Sequence, residues 1–148
     1  MDIYPYIIIM QAINYKGGRF ILAIGYLISQ VYTSNSTIPI NDASIAITRK
    51  DGDSEDLLAF RTTDSSGRTS SIPLFAPDRS LSETPGHENP FSVYNVRVSH
   101  PLYYTVLIEN VQIFADNTSL QNVKLVPLRE EAELDYKPTI FNIESQNL

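Results

Sequence analysis

Short apolar runs alternate with polar turn residues along most of the chain. Ala43, Ile45 and Ile47 are each separated by a smaller or more polar residue, which is the period of two expected of a half-buried strand. Residues 93–99 alternate in the same way. Further strands are predicted over residues 19–33, 57–62, 69–75, 103–109, 111–114 and 123–128. No stretch predicts a convincing helix.

Turn residues punctuate these strands. Residues 50–56 form a charged hairpin tip that contains the dipeptide Asp51-Gly52, a strong hairpin signal. Residues 63–67 form a second turn, in which Gly67 is free to take a positive φ. Seven or more short strands with this punctuation predict an all-β fold, an antiparallel β-sandwich.

Residues 3–13 form a strongly apolar run near the start of the chain. A signal peptide needs positive charge before such a run and small residues after it, whereas Asp2 is negative and Pro5 interrupts the run. A membrane span needs roughly 18 or more apolar residues, so none is expected here. The density of Ile and Tyr predicts an extra N-terminal β-strand, followed by a turn at Lys16, Gly17 and Gly18.

The composition fits one globular domain. The chain has 148 residues, of which 43% are hydrophobic, enough to bury a core. The absence of cysteine excludes disulfides, thiolate nucleophiles and cysteine-ligated zinc. The net charge is −6 and no Lys/Arg cluster stands out, so nucleic acid is not expected as a partner.

Several phrases of the chain together resemble a known family. They are residues 25–31, Ile38-Pro39-Ile40 with Ala43, Ile45 and Ile47, Thr63-Asp64 with Gly67, residues 72–77, and the later stretches 76–86, 94–96, 111–114 and 123–127. This pattern resembles the carboxypeptidase regulatory-like (transthyretin-like) β-sandwich domain. The variant it most resembles occurs in clostridial spore cortex-lytic and peptidoglycan-associated proteins.

The resemblance implies a module without catalytic activity. It covers residues 25–128 and divides the chain into an N-terminal strand and connector (1–24), the sandwich, and an acidic C-terminal tail (129–148). Ser29 departs from the family pattern, which usually has Val there. This departure predicts either a position near a sheet edge or a hydroxyl that bonds back to the backbone.

Candidate catalytic residues are few. His87 and His100 are the two histidines of the chain, and a hydrolytic triad needs one of them beside a serine and an acid. The spacing does not favour that arrangement. We therefore expect no catalytic residue, no cofactor and no enzymatic activity.

Other polar and aromatic residues have both a structural and a functional interpretation. Asp51, Asp53 and Glu55 can gather around Ca²⁺, but the chain lacks a full calcium-loop pattern, and a solvated hairpin tip is the favoured interpretation. The sequence leaves calcium binding by these three open and predicts no metal site. Asp64 is expected to accept N–H bonds within its own turn. Tyr103 and Tyr104 can stack on sugars, although packing within the sandwich is the commoner role of strand aromatics.

The apolar N-terminal run leads to a self-assembly hypothesis. An unpaired strand of this kind must find a sheet edge, either in its own sheet or in a neighbouring copy; the sequence leaves these alternatives open. In the second arrangement, Lys16, Gly17 and Gly18 are expected to form the hinge between the donor strand and the sandwich. The residues assigned to self-assembly are Ile3, Tyr4, Tyr6, Ile7, Ile8, Ile9, Met10, Gly17 and Gly18.

These observations predict a non-catalytic structural protein of a bacterial spore or cell surface, self-associating through strand addition into a fibre or coat. The expected partner is a further copy of the chain, forming a homo-oligomer or filament. The alternative is an accessory module that binds peptidoglycan or assists a spore cortex or cell-wall lytic enzyme.

Overall fold

The computed structural model describes residues 22–33, 38–78, 91–129 and 138–143. The predicted N-terminal strand (3–13), its hinge at residues 16–18, and His87 lie outside this part of the chain. The described strands are β1 (Leu22–Thr33), β2 (Ser44–Asp51), β3 (Ser54–Thr62), β4 (Ile72–Pro77), β5 (Phe91–His100), β6 (Tyr103–Phe114), β7 (Thr118–Leu125) and β8 (Thr139–Asn142).

The strands form two packed sheets, which confirms the predicted all-β sandwich. One sheet has the order β4-β1-β7 and the other the order β3-β2-β5-β6-β8. The sheets are mixed rather than purely antiparallel, because β1 pairs with β7 in parallel and β6 pairs with β8 in parallel. Both parallel pairs join strands connected by longer stretches of chain, as parallel pairing requires.

The hydrophobic core lies between the two sheets and follows the predicted alternation. In β2, Ile45 and Ile47 are fully buried, and in β4 the buried residues are Ile72, Leu74 and Ala76. Complete burial of an aliphatic side chain of this size contributes about 1.5–3 kcal/mol. The alternation therefore fixes which face of each strand points inward.

A single strand, β6, replaces the two strands predicted at 103–109 and 111–114. Asn110 takes a positive φ of 62° at that point, and the register with β5 shifts beside it. The Asn95 side chain accepts a hydrogen bond of 3.2 Å from the Asn110 backbone N–H. This bond holds the irregularity within a continuous strand.

The strand predicted at 123–128 lies earlier in the chain than expected. β7 ends at Leu125, and the following residues move to the edge of the other sheet. There the Tyr104 N–H donates to the Val126 carbonyl and the Leu128 N–H donates to the Leu102 carbonyl, each at 2.9 Å. Thus, the chain crosses between the two sheets immediately after Leu125.

The five-stranded sheet continues into the region predicted as a C-terminal tail. β8 pairs with β6 from Val106↔Thr139 to Glu109↔Asn142. At the other end of the sandwich region, β1 begins at Leu22. Both strands therefore extend the sheets beyond residues 25–128.

The two predicted turns are confirmed. The Asp64 Oδ1 accepts hydrogen bonds from the Ser66 and Arg68 N–H groups at 2.9 and 3.0 Å. Gly67 takes a φ of 72°, and a Cβ there would lie 2.4 Å from the Val31 carbonyl oxygen. Gly52 likewise has a φ of 62° between β2 and β3, as the Asp-Gly hairpin signal predicts.

Both expectations for Ser29 were wrong. Its strand, β1, is the central strand of its sheet, so the residue is not at an edge. The residue is 0% exposed, and its Oγ has no hydrogen-bond partner in the structure. The side chain lies in the inward row between Leu27 and Val31, where a strand with one buried face places every second residue.

Candidate functional site

The most prominent candidate sites are the sheet edges. The edge strands are β4 and β7 in one sheet and β3 and β8 in the other. Among the described residues, no further strand pairs with their outer edges. An open edge presents unpaired N–H and C=O groups, which can accept an added strand.

Three of these edges carry features that discourage strand addition. β4 contains Pro73 and Pro77, which have no N–H to donate. β3 carries the charged residues Glu55 and Asp56 near its start, and its register with β2 shifts along the pair. β8 has only 4 residues. Prolines, charges, bulges and shortness are all known protections of edge strands.

β7 lacks these protections. It has 8 residues, contains no proline, and carries one charged side chain, Lys124. Its pairing with β1 runs from Tyr26↔Thr118 to Thr33↔Leu125 without a shift of register. Leu120, near the middle of the strand, is 52% exposed. β7 therefore offers the most suitable edge of the described sandwich for an added strand.

A groove lies between β7 and the end of β6. The last pair between β8 and β6 joins Asn142 to Glu109, so β6 continues beyond β8. Residues from the end of β6 and residues 119–121 of β7 together line a cavity of about 210 Å³. Its walls are Leu27, Val111, Gln112, Phe114, Ser119, Leu120, Gln121 and Ile143.

The chemistry of the groove favours an uncharged, largely apolar occupant. Five of its lining residues are apolar and the three polar ones, Gln112, Ser119 and Gln121, are uncharged. At the end of the groove, the Ile143 N–H donates to the Glu109 carbonyl at 3.2 Å, which fixes this wall to β6.

The acidic hairpin does not form a cluster. The Glu55 side chain accepts a hydrogen bond from Thr48 Oγ1, and Asp51 accepts one from the Ser54 hydroxyl through its backbone carbonyl. Among the described residues, no group of three or more His, Cys, Asp or Glu side chains has a metal-binding arrangement. Asp51, Asp53 and Glu55 are exposed, as in a solvated hairpin tip.

His100 has a structural role at the turn between β5 and β6. Its Nδ1 accepts a hydrogen bond of 3.2 Å from the Leu102 N–H. Its ring meets that of Tyr103 edge-on, with ring centroids 5.1 Å apart, and Tyr103 packs against the hydrophobic core. This packing agrees with the structural interpretation of Tyr103.

The sequence did not reveal the β7 edge or its groove. The residues assigned to self-assembly (Ile3, Tyr4, Tyr6, Ile7, Ile8, Ile9, Met10, Gly17 and Gly18) all lie outside the described residues, so that assignment stays a prediction. The available signal for β7 was the alternation of Ser119, Gln121, Val123 and Leu125, which share its inward face.

Within the described part of the chain, no helix has the length and hydropathy needed to cross a membrane.

No family model and no curated protein matches the chain. Among solved structures, GBS52, the minor pilin of Streptococcus agalactiae, matches 74% of this chain and 47% of its own, at 15% identity and a TM-score of 0.50. The Bacillus anthracis TIE protein matches 72% of this chain and 17% of its own, at 11% identity and a TM-score of 0.46. A mutant type II cohesin–X–dockerin complex of Acetivibrio cellulolyticus matches 72% of this chain and 57% of its own, at 18% identity and a TM-score of 0.34.

The pilin match, with a TM-score of 0.50, supports a general β-sandwich. The chain spans less than two thirds of each of the three matched chains. At 15% identity, the pilin match shows a shared fold alone. The finer assignment to the carboxypeptidase regulatory-like family stays a prediction.

Proposed function

We propose that this chain is a non-catalytic structural protein of a bacterial spore or cell surface, in which the N-terminal segment of one copy adds as a strand to a sheet edge of the next. The observation that carries the proposal is the unprotected edge of β7 beside an uncharged groove of mixed apolar and polar lining. Strand addition gives affinity through main-chain hydrogen bonds and specificity through pockets for alternate side chains.

The N-terminal sequence supplies a matching donor. Residues 3–13 are rich in Ile and Tyr, which favour the extended conformation. An apolar strand of this kind is prone to aggregate unless it is paired. A donor at one end of the chain and an acceptor elsewhere make a head-to-tail contact, which yields a filament when its rotation does not close.

The surface setting is supported by sequence resemblance and by architecture. Residues 25–128 resemble sandwich modules of clostridial spore and cell-wall proteins. The solved structure of a minor pilin has the same general fold. Lack of catalysis is part of the proposal, since the described histidine, His100, is engaged in a turn.

Full-length protein tests the proposed function directly. We expect size-exclusion chromatography to show species larger than a monomer and negative-stain microscopy to show elongated assemblies. Deletion of residues 1–18 is expected to leave a folded monomer, with circular dichroism as the control for folding. A discrete monomer of the full-length protein, or undiminished assembly after the deletion, contradicts the proposal.

The lining of the groove also favours a second candidate, an accessory module that binds wall glycan. Its lining includes Gln112, Ser119, Gln121 and Phe114, and uncharged hydrogen-bonding groups together with an aromatic ring suit a sugar. Sedimentation with purified peptidoglycan tests this function. Retention that is lost on Gln121→Ala, with self-assembly intact, would favour the accessory module.

A further inference from the structure

We propose that the acceptor for the N-terminal segment is the outer edge of β7, and that the adjoining groove receives an apolar side chain from residues 3–13 of a second copy. This inference rests on the proposed function and identifies the acceptor within it. Its occupant is the N-terminal run of a neighbouring chain.

The choice of edge follows from the differences among the four edge strands. An added strand needs a row of free N–H and C=O groups along several residues. Alternate residues along the 8-residue strand β7 direct these groups to its outer edge, although the Asn122 carbonyl accepts a bond of 3.2 Å from the Gln121 side chain, whereas β4 loses donors at two prolines. β3 is irregular in register, and β8 is short.

The groove has the right size for one apolar side chain. A cavity of about 150 Å³ lined by Leu, Ile and Phe holds a benzene molecule. The groove beside β7 measures about 210 Å³ and contains Leu27, Val111 and Phe114 in its lining. It therefore has room for one Ile or Tyr side chain of an incoming strand.

The pattern of the donor favours a contact between two copies. Ile7, Ile8 and Ile9 are consecutive, so a strand through them is apolar on both faces. When the added strand pairs with the edge of β7, the acceptor sandwich covers the inward face of that strand. Its other face continues the outer face of β7, which is solvated, as the exposed residues Asn122 and Lys124 indicate. A second body is needed to cover the remaining face, and the sandwich of the donor copy supplies it.

Engineered cysteines test the contact in the full-length chain, which has no native cysteine. One batch carries Ile8→Cys, a second Ile9→Cys, and a third Leu120→Cys on β7. The two donor positions together cover both faces of the strand. The matched control, Phe60→Cys, lies on the edge strand β3 and is 48% exposed, close to the 52% of Leu120.

Mixing donor and acceptor batches under oxidation is expected to give a disulfide-linked pair of two different chains on non-reducing gels. For at least one donor, the yield with Leu120→Cys should exceed that with Phe60→Cys about tenfold. Equal or greater yield with Phe60→Cys overturns the assignment to β7. A further variant carries a donor cysteine and Leu120→Cys in the same chain. A disulfide within one chain of this variant, in the monomer, overturns the contact between copies.

A charge on the edge provides the second test. Leu120→Lys adds a positive side chain where an incoming strand would pair, and Lys is a natural guard of strand edges. We expect the critical concentration for assembly to rise at least about tenfold, with circular dichroism and melting temperature close to wild type. The control Phe60→Lys should assemble like wild type.

The outcomes separate the two proposals. If full-length protein assembles and Leu120→Lys assembles equally well, the acceptor assignment fails while the proposed function stands. If the full-length protein is a monomer under all conditions, both fail. Loss of assembly in Leu120→Lys, with Phe60→Lys unaffected, supports the β7 acceptor.

Discussion

The Tyr94 hydroxyl on β5 donates a hydrogen bond of 2.6 Å to the Phe75 carbonyl on β4. Because β5 and β4 belong to different sheets, this bond joins the two halves of the sandwich. Tyr94 is only 1% exposed and Phe75 is half-buried, so the bond is largely shielded from water.

Removal of this hydroxyl is expected to destabilise the sandwich. Tyr94→Phe should lower the free energy of unfolding by about 1–2 kcal/mol, because the part-buried Phe75 carbonyl loses its donor. Urea denaturation measures the change. Tyr26→Phe is the matched control, since Tyr26 is 39% exposed, and its effect should stay within about 0.5 kcal/mol. Equal effects of the two substitutions would contradict the role of the Tyr94 bond.

The same tyrosine predicts a loss of stability at alkaline pH. Burial raises the pKa of Tyr94 from 10.0 to about 12, against smaller lowering effects of Arg49 and of a hydrogen bond with Ser92. The folded state therefore favours the neutral phenol, so this contribution is complete below pH 10 and is lost as pH rises through about 12. The loss approaches about 1.4 kcal/mol per pH unit.

Comparison of wild type with Tyr94→Phe isolates this contribution. As the pH increases from about 9 to about 12, wild type should lose stability relative to the variant. Urea denaturation at a series of pH values provides the measurement. A difference that stays constant over this range would show that Tyr94 does not titrate in the predicted way.

The Thr63 hydroxyl is a second group that is expected to stabilise the folded state. Its Oγ1 donates to the Ile40 carbonyl at 2.6 Å and accepts from the Ala43 N–H at 2.9 Å, within a site that is 3% exposed. Thr63→Val keeps the shape but leaves both backbone groups unpaired, and should cost about 1–3 kcal/mol in denaturant unfolding. The exposed neighbour Thr62 provides the control, Thr62→Val, expected within about 0.5 kcal/mol.

Removal of the Ser29 hydroxyl is expected to increase stability, in contrast to the substitutions at Tyr94 and Thr63. The Ser29 hydroxyl is buried without a partner, so the folded state bears a desolvation cost that no hydrogen bond offsets. Ser29→Ala should raise the free energy of unfolding by about 1 kcal/mol, measured against Ser70→Ala at an exposed position. A decrease in stability would mean that the Oγ has a polar partner after all.

Gly25 allows β1 and β6 to approach closely. A Cβ at this position would lie 2.3 Å from the Phe114 carbonyl oxygen and 2.5 Å from Ile113 Cγ2. Gly25→Ala must therefore separate the two strands, and should cost more than about 2 kcal/mol. Gly52→Ala meets no atom within 4 Å but has a positive φ, so it should cost about 1 kcal/mol. Thermal melts that reverse this order would contradict the close approach.

Local patterns predicted the local structure well. The alternation around Ile45 and Ile47 identified β2 and its buried face, and Asp64 with Gly67 specified a turn whose bonds are those expected. Both depend on neighbouring residues, where side-chain chemistry acts directly on the backbone.

Pairing between distant strands was not predictable in the same way. The alternation of a strand specifies its buried face but not its neighbouring strand. The sequences of β1 and β7 therefore do not indicate that these two strands pair in parallel. The groove beside β7 depends on where β8 ends relative to β6. The buried Ser29 was misjudged for the same reason, because its central position is a property of the sheet order.

The parallel pair has a consequence for how the protein is made. β1 is the first described strand to leave the ribosome, yet its partner β7 begins only at Thr118. Translation at roughly 5–20 residues per second separates the two by on the order of 5 to 20 seconds. Until then, the side of β1 that β7 will cover stays open on every nascent chain. We therefore expect unfinished copies on crowded polysomes to compete for this side of β1, and the yield of correctly paired sandwiches to depend on chaperones during synthesis.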